Sequence, residues 1–72
     1  MESFEIIIDK EKFKVIRHSP SQYNFSVFNY ATFHTVKKNE TGQWVSFEHR
    51  FGDENIPLLE IGNAIDKHYG EI

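Results

Sequence analysis

The chain has 72 residues, a formal charge of −3 and no cysteine. That length supports a single small domain with a thin core, and the missing cysteines exclude disulfides and thiolate-bound metals as its staple. An acidic balance also argues against a protein whose main task is gripping a phosphate backbone, because that affinity comes largely from Lys and Arg displacing counterions. Seven phenylalanines are the natural substitute for covalent cross-links, since each ring buries a large area.

Taken in chain order, Phe4, Ile6 and Ile8 alternate with Glu5, Ile7 and Asp9, and Phe13, Val15 and Arg17 alternate with Lys14, Ile16 and His18. A period of two is that of a half-buried strand. The two runs predict a hairpin with strands at 3–9 and 13–18, in which Ile8 faces Phe13 and Ile6 faces Val15. Ser19-Pro20-Ser21 is a turn, and a third strand at 23–28 turns Tyr23, Phe25 and Val27 inward and Asn24, Ser26 and Phe28 outward. Asn29-Tyr30-Ala31 reads as a connection.

The clearest turn is Asn39-Glu40-Thr41-Gly42, with Asn at the first position of a type I turn and Gly at the left-handed position after it. It joins strands at 32–38 and 43–50. Placing Asn39 opposite Gln43 sets Phe33 against His49, Thr35 against Phe47 and Lys37 against Val45 on the core side. His34 against Glu48 and Lys38 against Trp44 then fall on the solvent side. After Gly52-Asp53-Glu54-Asn55, Pro57 suits a first helical turn, and Leu58, Ile61, Ile65 and Tyr69 recur at helical spacing. They predict a helix at 57–69, with Gly62 allowing a close approach to the sheet.

The fold expected is therefore α+β: an antiparallel meander of four or five strands with one C-terminal helix packed on one face. Its predicted core is Phe4, Ile6, Ile8, Phe13, Val15, Phe25, Val27, Phe33, Val45 and Phe47. The longest aliphatic run, Ile6-Ile7-Ile8, is far too short for a membrane span or a signal-peptide core. The expectation is a cytoplasmic protein with no membrane association.

No spacing matches a catalytic, metal or phosphate-binding motif. His18, His34, His49 and His68 never fall at i, i+4 on the helix or i, i+2 on a strand, so neither a metal nor another cofactor is expected. A cross-strand His34–Glu48 pair is the one acid/base candidate, and a solvated ion pair is its plainer reading. The expectation is not an enzyme. The informative feature is the outward sheet face, where Ile7, Ile16, Phe28, Val36 and Trp44 gather with Tyr30 nearby. Trp44, Phe28, Tyr30, Val36 and Lys38 are the candidate binding residues, with Lys38 able to sit over Trp44. The function expected is a small non-enzymatic protein-interaction or self-associating module, whose partner is a protein or a second copy. The alternative is single-stranded nucleic-acid binding by stacking on the same rings, which the acidic balance disfavours.

Strands followed by one C-terminal helix resemble the architecture of the single-stranded DNA-binding coactivators and the Pur-type repeats, as an arrangement without a shared motif. Asn39-Glu40-Thr41-Gly42-Gln43-Trp44 together with Ile61-Gly62-Asn63-Ala64-Ile65-Asp66-Lys67-His68-Tyr69 resemble the end of certain short uncharacterised bacterial proteins. That resemblance implies a bacterial stand-alone domain and no particular activity.

Overall fold

The computed structural model describes residues 2–70. Five strands, β1 (Ser3–Ile8), β2 (Glu11–Ser19), β3 (Gln22–Phe28), β4 (Thr32–Lys38) and β5 (Trp44–Gly52), precede one helix, α1 (Leu58–His68). The strands form one open sheet in the order β1-β2-β3-β4-β5, every neighbour antiparallel. The α+β meander is as the alternation and short turns predict.

The first hairpin is tighter than expected. Asp9 and Lys10 both take positive φ, 51° and 69°, the pair of left-handed residues that a two-residue type I′ loop requires. Ile8 therefore pairs with Glu11, Ile6 with Phe13 and Phe4 with Val15, two residues away from the predicted register. A slip of two keeps every side chain on its face, so Phe4, Ile6, Ile8, Phe13 and Val15 still point toward the helix.

The helix covers that face. Ile61 and Ile65 are fully buried against Phe13, Val15, Phe25, Val27 and Val36, and Phe4, Ile8, Tyr23, Trp44, Leu58 and Tyr69 pack around them. Gly62 is buried in the contact, and a Cβ built there would clash with the indole ring of Trp44. One turn on, at the i+4 position of the same helix face, Asp66 is only 7% exposed. Its carboxylate accepts from Tyr23 Oη at 3.0 Å and Trp44 Nε1 at 3.3 Å, and pairs with Lys38 Nζ at 2.9 Å. At the far end of the helix the Arg17 guanidinium lies 5.3 Å from the Tyr23 ring centroid and 5.0 Å from that of Tyr69, close enough for cation–π attraction.

The last hairpin corrects the sequence reading. Lys38 pairs with Trp44 and Lys37 with Val45 as predicted, but the faces are exchanged: His34, Val36, Lys38 and Trp44 turn to the helix, while Phe33, Thr35, Lys37 and Val45 turn away. Phe33, Val45 and Phe47 therefore leave the predicted core, and Val36, fully buried, enters it. Farther along, the register shifts twice, so that Thr35 meets Glu48, His34 meets His49 and Phe33 meets Phe51. Each shift is a bulge with one extra residue in β5.

His34 does not meet Glu48. It is 1% exposed on the helix side, stacked on His49 at 4.5 Å. Its Nε2 lies 2.9 Å from the Asp53 carbonyl, which can only accept, so that nitrogen carries the proton. In the neutral ring Nδ1 then accepts from Ser46 Oγ at 2.7 Å. Thr32 Oγ1 donates to the same Asp53 carbonyl at 2.8 Å. The two side chains tie down the segment between β5 and the helix, and Glu48 lies on the opposite face with Thr35. This separation removes the His34–Glu48 acid/base pair.

Two tests follow from the helix contact. Asp66→Ala removes the carboxylate that Lys38, Tyr23 and Trp44 share, and should lower unfolding free energy by about 2–4 kcal/mol in urea titration. Gly62→Ala should also destabilise, by roughly 1–3 kcal/mol through overpacking, although Ala alone favours a helix by roughly 1 kcal/mol. A neutral or stabilising Gly62→Ala would contradict the Trp44 contact. Tyr69 gives a pH test. Burial, and then the Glu2 carboxylate accepting from its hydroxyl at 2.9 Å, raise its pKa above the ordinary 10.0. The folded state thus holds the phenolic proton more tightly than the unfolded chain. The stabilisation is complete below about pH 10 and is lost as pH rises through the raised value. Tyr69→Phe should flatten the alkaline fall in urea midpoint relative to wild type.

Candidate functional site

The helix leaves the other side of the sheet uncovered, and two features of the strands furnish it. One transverse row of paired residues crosses all five strands as Glu5, Lys14, Phe28, Phe33 and Phe51. Its β3–β5 half is an aromatic ridge: Phe28 and Phe33 stack at 5.2 Å and Phe33 and Phe51 approach at 6.3 Å. The second feature is the bulged strand. In β5 the bulges turn the neighbours Phe47 and Glu48, and again Arg50 and Phe51, to this same face, where strict alternation would have sent one of each pair to the helix side. Phe47, Glu48 and Arg50 line one hollow with Phe33 and Thr35, and Arg50 lies over the Phe33 ring at 5.4 Å.

Hollows flank the ridge. The first, of ≈ 400 Å³, has buried hydroxyls of Ser26 and Thr35 in its lining, with Phe33, Phe47, His18 and Arg50 around them. Its polar groups satisfy one another: Ser26 Oγ and His18 Nε2 are 2.7 Å apart, Thr35 Oγ1 donates to Glu48 Oε1 at 3.1 Å, and Arg50 sits 3.6 Å from Glu48. The second, of ≈ 360 Å³, is lined by Phe28, Tyr30, Asn29, Lys12, Lys14 and Glu5. Phe47 is 50% exposed, Phe51 48% and Ile7 67%, so apolar and aromatic surface is left in water on this side. Lys37 stands over the Phe47 ring at 5.0 Å.

The predicted binding residues are divided by this geometry. Phe28 and Tyr30 come together in the second hollow, Tyr30 at the β3–β4 turn and 95% exposed. Val36 is fully buried, Trp44 packs on Gly62, and Lys38 pairs with Asp66, all three on the helix side. Lys38 does lie over the Trp44 ring, at 5.6 Å, but within the helix contact. Phe33, Phe47, Phe51 and Arg50 are the face residues that the sequence reading missed. The rings of Phe33, Phe47 and Phe51 are conspicuous in the sequence, but the phase of Phe33 depends on the Lys38 and Trp44 contacts with the helix, and the facing of Glu48, Arg50 and Phe51 on bulges that have no local signature.

Among the described residues no three His, Asp or Glu side chains converge as a metal site needs, and no helix is long and apolar enough to cross a membrane. No family model, curated protein or solved structure matches the chain.

The placement of the rings is testable by stability alone. Trp44→Ala should cost about 2–4 kcal/mol because it empties the Gly62 contact and removes a donor to Asp66. Phe47→Ser, from a half-exposed site, should cost under about 1 kcal/mol in the same urea titration. The reverse ranking would place Phe47 in the core.

Proposed function

We propose that the protein is a non-enzymatic interaction module that docks a protein partner on the helix-free face of its sheet. One observation carries this reading: the Phe28–Phe33–Phe51 ridge, with half-exposed Phe47 beside it, is assembled across three strands on the side that the helix leaves uncovered. Grouped aromatic surface of this kind, rimmed by charge, is typical of interaction sites. Large rings and Arg supply most of the energy at such contacts. Phe33, Phe47, Phe51 and Arg50 are the anchors assigned here, with Phe28 and Tyr30 extending the contact into the second hollow.

A second reading has its own support. Arg50 over Phe33 and Lys37 over Phe47 set cations beside rings on an open sheet, the combination that single-stranded nucleic acid uses for stacking and charge. The formal charge of −3, with Glu5 and Glu48 on the same face, favours the protein partner. A bacterial setting, which follows the sequence resemblance, and a cytoplasmic one, which follows the missing cysteines and short aliphatic run, belong to this proposal.

A photo-crosslinking side chain placed at Phe47 in the producing cell, with one at Leu59 on the helix as control, separates the readings. A discrete protein adduct from position 47 and none from 59 is the expected result. Absence of that adduct, together with salt-sensitive binding of a labelled thymidine oligonucleotide that Phe33→Ala abolishes, would transfer the face to nucleic acid.

A further inference from the structure

The two edges of the sheet are unequal. β5 is long but bulged twice and carries Arg50, features that spoil an edge as a template for another strand. β1 has no bulge, and its one charged side chain is Glu5. Its six residues, Ser-Phe-Glu-Ile-Ile-Ile, include no Lys, Arg or Pro, and they pair with β2 in unbroken register. A regular, strongly β-forming edge is a ready acceptor for one more strand.

The ladder shows which backbone groups are offered. Arg17 N–H donates to the Glu2 carbonyl at 2.9 Å, which makes Glu2·Arg17 a hydrogen-bonded pair. By the alternation of antiparallel ladders, Phe4, Ile6 and Ile8 also direct their N–H and C=O to β2, and Ser3, Glu5 and Ile7 direct theirs outward. We propose that a second copy of this chain docks there, β1 against β1 antiparallel, with Ile6 on the two-fold axis, to make one continuous ten-stranded sheet.

The register is fixed by what the alternatives cost. An axis through Glu5 sets Glu5 against its own copy, and an axis through Ile7 sets Glu5 against Asp9, like charges directly opposite in both cases. An axis through Ile6 sets Glu5 against Ile7 twice, and these are outward-directed residues, so each pair exchanges both its hydrogen bonds. On the helix side the same axis sets Ile6 against Ile6 and Phe4 against Ile8. Phe4 and Ile8 are only partly buried in the single copy, so the contact covers apolar surface the monomer leaves wet. The two-fold axis is perpendicular to the sheet, which keeps both helices on one side and joins the two helix-free faces. The inference does not depend on what that face binds.

Sedimentation velocity of the full chain over a concentration series is the test, with variants at Ile7, whose 67% exposure lets it be replaced without disturbing the fold. A reversible monomer–dimer equilibrium is expected. Ile7→Glu faces Glu5 of the second copy twice and should weaken the dimer roughly tenfold. Ile7→Lys faces the same carboxylates and should hold it at least as tightly as wild type, and adding Glu5→Lys to Ile7→Glu should restore association. Circular dichroism confirms that each variant is folded. A chain that stays monomeric at millimolar concentration overturns the proposal, as does a dimer that Glu and Lys weaken alike. A dimer lost in Phe47→Ser but kept in Ile7→Glu also overturns it, and would show instead that copies meet through the helix-free face.

Discussion

The carboxylate of Asp66 decides which side of the last hairpin is inside. A carboxylate that is almost wholly removed from water costs several kcal/mol unless charge and hydrogen bonds replace its hydration. Here Lys38, Tyr23 and Trp44 supply that replacement from three different strands. Lys38 and Trp44 are cross-strand partners, so fixing both beneath the helix fixes the phase of β4 and β5 together. Gly62, one turn before Asp66, leaves room for the Trp44 ring. Once that ring is seated, alternation carries Val36 and His34 inward and puts Phe33 and Thr35 on the far side. The exposed aromatic ridge is thus a consequence of how the helix is anchored.

Much of the architecture is legible in the sequence because β1, β2 and β3 each have one unambiguous apolar phase. Ile6, Phe13, Val15, Phe25 and Val27 are all buried where the alternation puts them. The Asn39 turn sets the first pairs of the last hairpin, Asn39 N–H donating to the Gln43 carbonyl at 2.8 Å. Strand β4 is different. Its sequence, Thr-Phe-His-Thr-Val-Lys-Lys, has Phe33 on one phase and Val36 on the other, with a polar residue beside each. Hydrophobicity favours the phase with Phe33, yet the other is chosen, because its polar members find partners remote in sequence. Lys38 meets Asp66 on the helix, and His34 meets Ser46 and the Asp53 carbonyl. A buried polar group with all its bonds made costs little, and that accounting depends on tertiary contacts rather than on the strand.

The same missing information explains the partial reading of the site. Phe28 and Tyr30 were recoverable because β3 keeps its period and Tyr30 lies in a turn. A phase that turns Phe33 inward points Trp44, Val36 and Lys38 outward, opposite to where the helix holds them. Phe47, Glu48, Arg50 and Phe51 could not be placed by any period of two, since two bulges carry both members of each adjacent pair to one face.

Those bulges give β5 two properties at once. A bulge interrupts the edge ladder and increases local twist, which discourages a further strand from adding there. It also changes which side a residue occupies without changing the chain's course, so an edge strand that packs Trp44 and stacks His49 toward the helix side can still crowd four side chains onto the other. A regular strand of the same length would divide them evenly. With Trp44 kept inward it would have buried Glu48 and Arg50 under the helix, and with those two turned outward it would have surrendered Trp44 to solvent. The irregular edge resolves that conflict, and it leaves β1, the regular one, as the side of the sheet open to growth.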